Sequence, residues 1–176
     1  MLPSLKQLIL ASQSKSRQAI LKQTGLSFEV IPAGIDEAGL RESMKGSSFE
    51  SQALALANAK AKAISEKHLE AVVIGADQIC VFETHIFSKP GTVEKAKAQL
   101  KQLQGNTHQL VTAACVYKAG KLLWETVVIP SLTMRPLSDE QIAYYINKEP
   151  ALNACGSYHI EGLGFHLFDD ISADRA

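Results

Sequence analysis

Leu8-Ile-Leu-Ala-Ser-Gln-Ser-Lys-Ser-Arg17 is a short apolar run that passes directly into a polar helix start. A buried strand feeding a helix is the first half of a βα unit. The helix's free N–H groups and positive dipole end make such a junction a place where anions are favoured. Ser12, Ser14 and Ser16 add hydroxyl donors there, and Lys15 and Arg17 add positive charge. The same serines also suit plain helix capping, so the junction alone leaves both readings open. No Gly-x-x-x-x-Gly-Lys-Ser/Thr occurs in the chain, which excludes a P-loop nucleotide site.

A second run, Ala71-Val-Val-Ile-Gly-Ala-Asp77, is apolar on both faces and ends in a carboxylate. Such a strand belongs to a sheet covered on both sides, which makes the fold class α/β. Ligands of open α/β sheets collect beyond the carboxyl ends of the strands, so Asp77 and the Ser12–Arg17 loop are expected to face one crevice. An acid beside a phosphate cradle suggests a metal; the alternative is that Asp77 is simply a turn former.

At 176 residues with 46% apolar content, the chain is long enough to bury a core as one domain or two closely packed lobes. Its 18 basic and 18 acidic residues cancel. That balance argues against a surface that coats duplex nucleic acid and points to a small charged substrate. No apolar stretch approaches the roughly 20 residues of a membrane span, and the N-terminus lacks a signal-peptide pattern, so no membrane association and a cytoplasmic location are expected. Cys80, Cys115 and Cys155 are widely spaced, without Cys-x-x-Cys, and read as reduced structural thiols.

Along the chain, a helix is expected from about Ser14 to Thr24 and a strand over Phe28–Ile31. A polar loop then follows Ile35-Asp-Glu37. The next helix begins at Ser47 or Ser48, where Ser47-Ser-Phe-Glu50 has capping-box spacing, and continues to about Lys67. The strand through Asp77 runs on to Phe82, turns at Glu83-Thr-His85 and returns towards Ser88-Lys-Pro90. A helix over Thr92–Leu103 precedes two long β segments, His108–Tyr117 and Lys121–Met134, read as a meander. A capped helix from Ser138 to about Asn147 and a glycine-rich tail of short strands and turns, Gly156–Phe168, complete the reading.

Lys60 breaks the pattern of its helix. It lies one turn from both Leu56 and Ile64, on the apolar stripe with Ala53, Ala57 and Ala61. Either it snorkels to solvent or its ammonium points into a pocket that holds anions. Collected together, Ser12, Arg17, Glu37, Lys60, Asp77 and Lys89 form a balanced polar set. Two carboxylates can hold a hard cation while Arg and Lys neutralise phosphate oxygens, which is most of what phosphoryl chemistry requires. Histidines 68, 85, 108, 159 and 166 form no metal-binding pattern, and no Gly-x-Ser-x-Gly occurs. His108 reads as a turn or strand-start residue rather than a base.

At these same positions the chain resembles the Maf family of nucleoside triphosphate pyrophosphatases, over nearly its whole length. The resemblance is carried by Leu10-Ala-Ser-Gln-Ser-Lys-Ser-Arg17, Ile35-Asp-Glu37, Ala59-Lys60, Gly75-Ala-Asp77, Ser88-Lys-Pro90, Leu103-Gln-Gly-Asn-Thr-His108, Leu137-Ser-Asp-Glu140 and Cys155-Gly-Ser-Tyr-His-Ile-Glu-Gly162. It implies one Maf-like domain over residues 1–176, with a central mixed, twisted sheet flanked by helices and two lobes around a nucleotide cleft, similar to the ITPase fold. It further implies a Mg²⁺ or Mn²⁺ cofactor and hydrolysis of a nucleoside triphosphate to monophosphate and pyrophosphate. By motif, Asp77 resembles the proton acceptor and Glu37 a second essential carboxylate, both near the metal. Arg17, Lys60 and Lys89 match phosphate-binding positions, Lys89 among the catalytic set, with Ser12 on the substrate side. A homodimer is also consistent with the family.

Three positions bear on the base: Ser16, Gln78 and Glu161. Gln78 and Glu161 resemble the branch selective for 7-methyl-GTP, whereas a dTTP/UTP site would carry Thr and Gln at the latter two. A carboxylate accepts both guanine donors, N1–H and N2–H, in parallel, and favours the positive charge of a methylated N7. Ser16 departs from the large aromatic residue of that branch, Lys15 replaces a proline, and the chain stops at Asp174-Arg-Ala176, where the family's closing segment would continue. Loss of that segment would leave apolar surface exposed. The alternatives are a dTTP/UTP pyrophosphatase of the same family and a nucleotide-binding regulator of cell division with little catalysis.

Overall fold

The computed structural model describes residues 7–172, so Asp174–Ala176 lie outside the described residues. Two compact units emerge: the chain up to Asp77 with Thr112–Val127, and Gln78–Val111 with the chain from Val128 onward. Two long strands, β3 (Val72–Phe82) and β5 (Thr107–Lys118), contribute residues to both.

In the first unit, β1 (Leu8–Leu10) lies parallel to both β2 (Glu29–Val30) and β3, with Leu8 opposite Val72 and Leu10 opposite Ile74. β1 is buried throughout, as its apolar run requires. α1 (Lys15–Gln23) follows it, with Ser14 as N-cap. α3 (Phe49–Ser65) turns Gln52, Ala53, Leu56, Ala57, Lys60, Ala61, Ile64 and Ser65 inward, the expected stripe with its lysine included. Its cap is Ser48, whose side chain accepts from the Ser51 N–H, so the box with Glu50 does not form. The polar loop after Glu37 is instead a helix, α2 (Glu37–Ser43), nucleated by Asp36, whose carboxylate accepts from the Gly39 N–H at 2.9 Å. It buries no residue, which is why no apolar periodicity announces it.

In the second unit, β3 turns through Glu83 into the antiparallel β4 (His85–Phe87). α4 (Val93–Leu103) and α5 (Asp139–Lys148) carry Ala96, Leu100, Leu103, Ile142, Tyr145 and Ile146 into an apolar core with Phe87, Leu132, Met134, Tyr158 and Phe168. Ser138 caps α5 as expected, and the structure adds a reciprocal bond from the Ser138 N–H to the Gln141 side chain that completes a capping box.

The second long β segment is two strands, β6 (Lys121–Val128) and β7 (Ser131–Met134). Pro130, which has no N–H to donate, stands between them. β6 folds back on β5 through Ala119 and Gly120, both at positive φ, the geometry of a two-residue hairpin. β7 pairs with the start of β5 rather than with β6, so a meander does not form. The tail holds the 3₁₀ turns Cys155–Ser157 and Leu163–Leu167 instead of short strands, then β8 (Phe168–Ser172) on β7. The result is a mixed α/β sheet in the order β2-β1-β3-β5-β7-β8, with β4 on β3 and β6 on β5. No described helix is long and apolar enough to cross a membrane. Burial pushes the Cys80 thiol up to about 12 and the Cys115 thiol to about 11, leaving both protonated at neutral pH, as structural thiols are.

Candidate active site

Side chains alternate along β3, and the odd-numbered Val73, Gly75, Asp77, Ile79 and Val81 are buried. Asp77 therefore places a carboxylate on a buried face, only 4% exposed, where it needs a partner. α3 supplies one. Gly75 sits so close to it that a Cβ there would lie 2.8 Å from the Ala61 Cβ and closer still to the Ala57 carbonyl oxygen. That approach puts Lys60, on the same stripe, within 2.8 Å of Asp77 Oδ1 through its Nζ. The two openings left by the sequence resolve together: Lys60 points at anions, and the anions are the protein's own.

Glu37 joins at the first turn of α2, its Oε1 3.2 Å from the same Nζ. Arg41, one turn further along α2, donates to Asp77 Oδ2 at 3.2 Å and lies 3.9 Å from Glu37 Oε2. Two cations thus bridge the same two carboxylates. Beside this network, the Arg17 guanidinium donates to Ser12 Oγ at 3.1 Å and to the Ala76 carbonyl at 3.0 Å, tying the β1–α1 junction to the residue before Asp77. The Ser14 N–H also donates to Ser12 Oγ. The parallel register of β1 and β3 is what brings the two strand ends level.

Of the residues read from sequence, Ser12, Arg17, Glu37, Lys60 and Asp77 are gathered in the first unit, where Ser16 also lies, on α1. Lys89, exposed after β4, Gln78, half-buried on β3, and Glu161, exposed in the tail, belong to the second. Arg41 was missed. Reading Asp36 as an N-cap would have found it, because Glu37 and Arg41 then stand at i and i+4 on one helix face. His108, the second residue of β5, is buried, with Nε2 2.7 Å from the Tyr158 hydroxyl; burial pulls its pKa down to about 4, which suits a neutral structural residue.

Among the described residues, no group of three or more His, Cys, Asp and Glu side chains gathers as a ligand cage. Two adjacent carboxylates nevertheless fit a hard divalent ion that draws its remaining ligands from water and phosphate, as Mg²⁺ does. Chemically, the arrangement offers a buried carboxylate able to take a proton, cations to neutralise phosphate, and a helix start with hydroxyl groups.

The family described as Maf-like protein matches residues 7–176. A nucleoside triphosphate pyrophosphatase of Rhodopseudomonas palustris (strain BisB5) is 43% identical over 96% of this chain and 85% of its own length. A protein of the same name from Bradyrhizobium diazoefficiens is 41% identical over 96% of this chain and 84% of its own. A 7-methyl-GTP pyrophosphatase of Brucella abortus is 42% identical over 95% and 86%. With identities of this size over nearly all its length, and with the family's match spanning the Ser12–Arg17 junction and the Glu37–Lys60–Asp77 network, this chain belongs to the Maf-like family.

Proposed function

We propose that this chain is a nucleoside triphosphate pyrophosphatase that hydrolyses the α–β phosphoanhydride and acts in the cytoplasm on modified nucleotides, 7-methyl-GTP first among them. The observation that carries the reading is the buried Asp77 carboxylate, paired with Lys60 beside the Ser12–Arg17 anion junction. Relatives at 43% and 42% identity bearing pyrophosphatase names support the reaction, one of them named for 7-methyl-GTP.

In the reaction, water adds a P–O bond and the bridging P–O bond of the α–β linkage breaks. The products are a nucleoside monophosphate and pyrophosphate. Asp77 takes the proton that the water loses. Arg17, Lys60 and Lys89 neutralise phosphate oxygens, and Ser12 adds a hydroxyl donor. Glu37 and Asp77 would hold a Mg²⁺ or Mn²⁺ ion, which when bound supplies charge stabilisation on the phosphates. Glu161 accepts the two guanine donors, with Gln78 and Ser16 as the other base-discriminating positions.

The test is pyrophosphate release with Mg²⁺ or Mn²⁺ across 7-methyl-GTP, GTP, dTTP, UTP and CTP. Release from 7-methyl-GTP above the others is the expected result. Release from pyrimidine nucleotides alone keeps the enzyme and removes the Glu161 assignment. Silence on all five, with nucleotide still bound, favours the regulator.

A further inference from the structure

We infer that Arg41 is a displaceable counterion of the Glu37–Asp77 pair, holding by its guanidinium the carboxylate edge that a divalent cation takes on binding. The inference rests on the proposed metal-dependent reading and adds a residue and a regulatory step to it. Its basis is the way the four groups share their charges. Lys60 Nζ faces Asp77 Oδ1 and Glu37 Oε1 at 2.8 and 3.2 Å, whereas Arg41 faces Asp77 Oδ2 and Glu37 Oε2 at 3.2 and 3.9 Å. Each cation therefore occupies one edge of the pair, and the network is neutral.

A dication that bridges the two carboxylates competes with these cations for the shared edges, and the two edges are not equal. The Lys60 side chain is 10% exposed and sits on a long, packed helix. Arg41 is 37% exposed on a seven-residue helix that buries nothing. Withdrawing Lys60 would strand a charge in the interior, while Arg41 swings into water at small cost. Its ordinary role is then to keep both carboxylates in position with their charge balanced until the ion and the nucleotide arrive together.

The experiment is titration of Mn²⁺ into the full chain without nucleotide, following free Mn²⁺ by electron paramagnetic resonance. Arg41→Gln is expected to tighten Mn²⁺ binding about two- to fivefold, the size of a partly exposed ion pair lost as a competitor. The gain is expected to vanish in Glu37→Gln/Arg41→Gln. Unchanged or weaker binding in Arg41→Gln, a gain that survives loss of Glu37, or no binding by either chain at millimolar Mn²⁺ overturns the inference. Should Arg41→Gln fail to fold, Arg41→Lys keeps the charge but loses the fork, and a smaller tightening is expected; none overturns it. Pyrophosphate release separates the two ideas. Parent activity with no Mn²⁺ effect at Arg41 sinks only this inference, whereas tightened Mn²⁺ with no release from any nucleotide sinks only the function.

Discussion

The two units bury polar groups in opposite ways. The first closes Lys60 on Asp77, a full ion pair with both members nearly inaccessible. The second closes His108 on Tyr158, two neutral groups sharing one hydrogen bond among aromatic rings, with the Phe168 ring centroid 5.9 Å from that of His108. A neutral pair costs less to bury than a charged one, even though the buried His108 Nδ1 has no hydrogen-bond partner among the described residues. A charged pair carries a desolvation penalty that an apolar pair of the same volume would avoid, so its presence is better explained by chemistry than by stability. Under the proposed function the difference separates a working interior from a supporting one, and substitutions in each should behave accordingly.

The largest effect is expected at the charged pair. Asp77→Asn keeps the shape and one of the two acceptor oxygens that face Lys60 and Arg41 but cannot take a proton, so pyrophosphate release should fall by about 10³- to 10⁴-fold with nucleotide binding still measurable. Turnover within tenfold of the parent would remove Asp77 as the base. Lys60→Met should next cost about 3 kcal/mol of stability, because among the described residues it leaves the buried Asp77 with Arg41 as its remaining cationic partner. Adding Asp77→Leu to Lys60→Met should restore most of that loss in denaturant melts while leaving the chain inactive. If the double variant is no more stable than Lys60→Met, the pair is structural after all and the contrast between the units collapses.

These same residues show what a sequence reveals. β1 and β3 were legible because their apolar runs are too short for helices and too continuous for half-exposed strands. Lys60 and Asp77 were legible as violations, a charge on an apolar stripe and a carboxylate at the end of a buried run. Glu37 and the Ser12–Arg17 junction were recognisable as chemistry-bearing residue types at element ends. α2 and its Arg41 were not legible, because a helix that buries nothing has no periodicity to read and its start depends on one Asp36 hydrogen bond. Lys89, Gln78 and Glu161 violate no pattern; only the family resemblance singled them out. The strand break at Pro130 was visible in principle, since proline cannot donate to a ladder, but the β-branched run on either side outweighed it.

The neutral pair makes its own prediction. Burial lowers the folded pKa of His108 to about 4, against 6.5 when free, so the unfolded chain binds the proton more readily between those values. Stability is therefore fully present above the free value and falls as pH drops towards 4, with about 2 kcal/mol lost by about pH 5. His108→Gln, which retains a hydrogen bond to Tyr158 without titrating in that range, should flatten this part of the pH–stability curve. A variant curve parallel to the parent's would show that other groups govern acid unfolding.

The smallest expected effect lies where backbone packing serves the charged pair. A Cβ on Gly75 would meet the Ala57 carbonyl, the Ala61 methyl and, at 3.0 Å, the Cys115 sulfur, and none of these is the far end of a flexible chain. Gly75→Ala must therefore push α3 away from β3, at a cost of about 1–3 kcal/mol. The same displacement lengthens the path from Lys60 to Asp77, because Lys60 lies on α3 between the two alanines that would be pushed. Activity should fall further than stability alone explains, with turnover reduced at a temperature where the variant is fully folded. Adding Ala61→Gly opens space beside the new methyl and should recover part of the loss. If Gly75→Ala costs stability but leaves turnover intact, Lys60 reaches Asp77 by side-chain flexibility, and the close helix–strand contact is not what sets the ion pair.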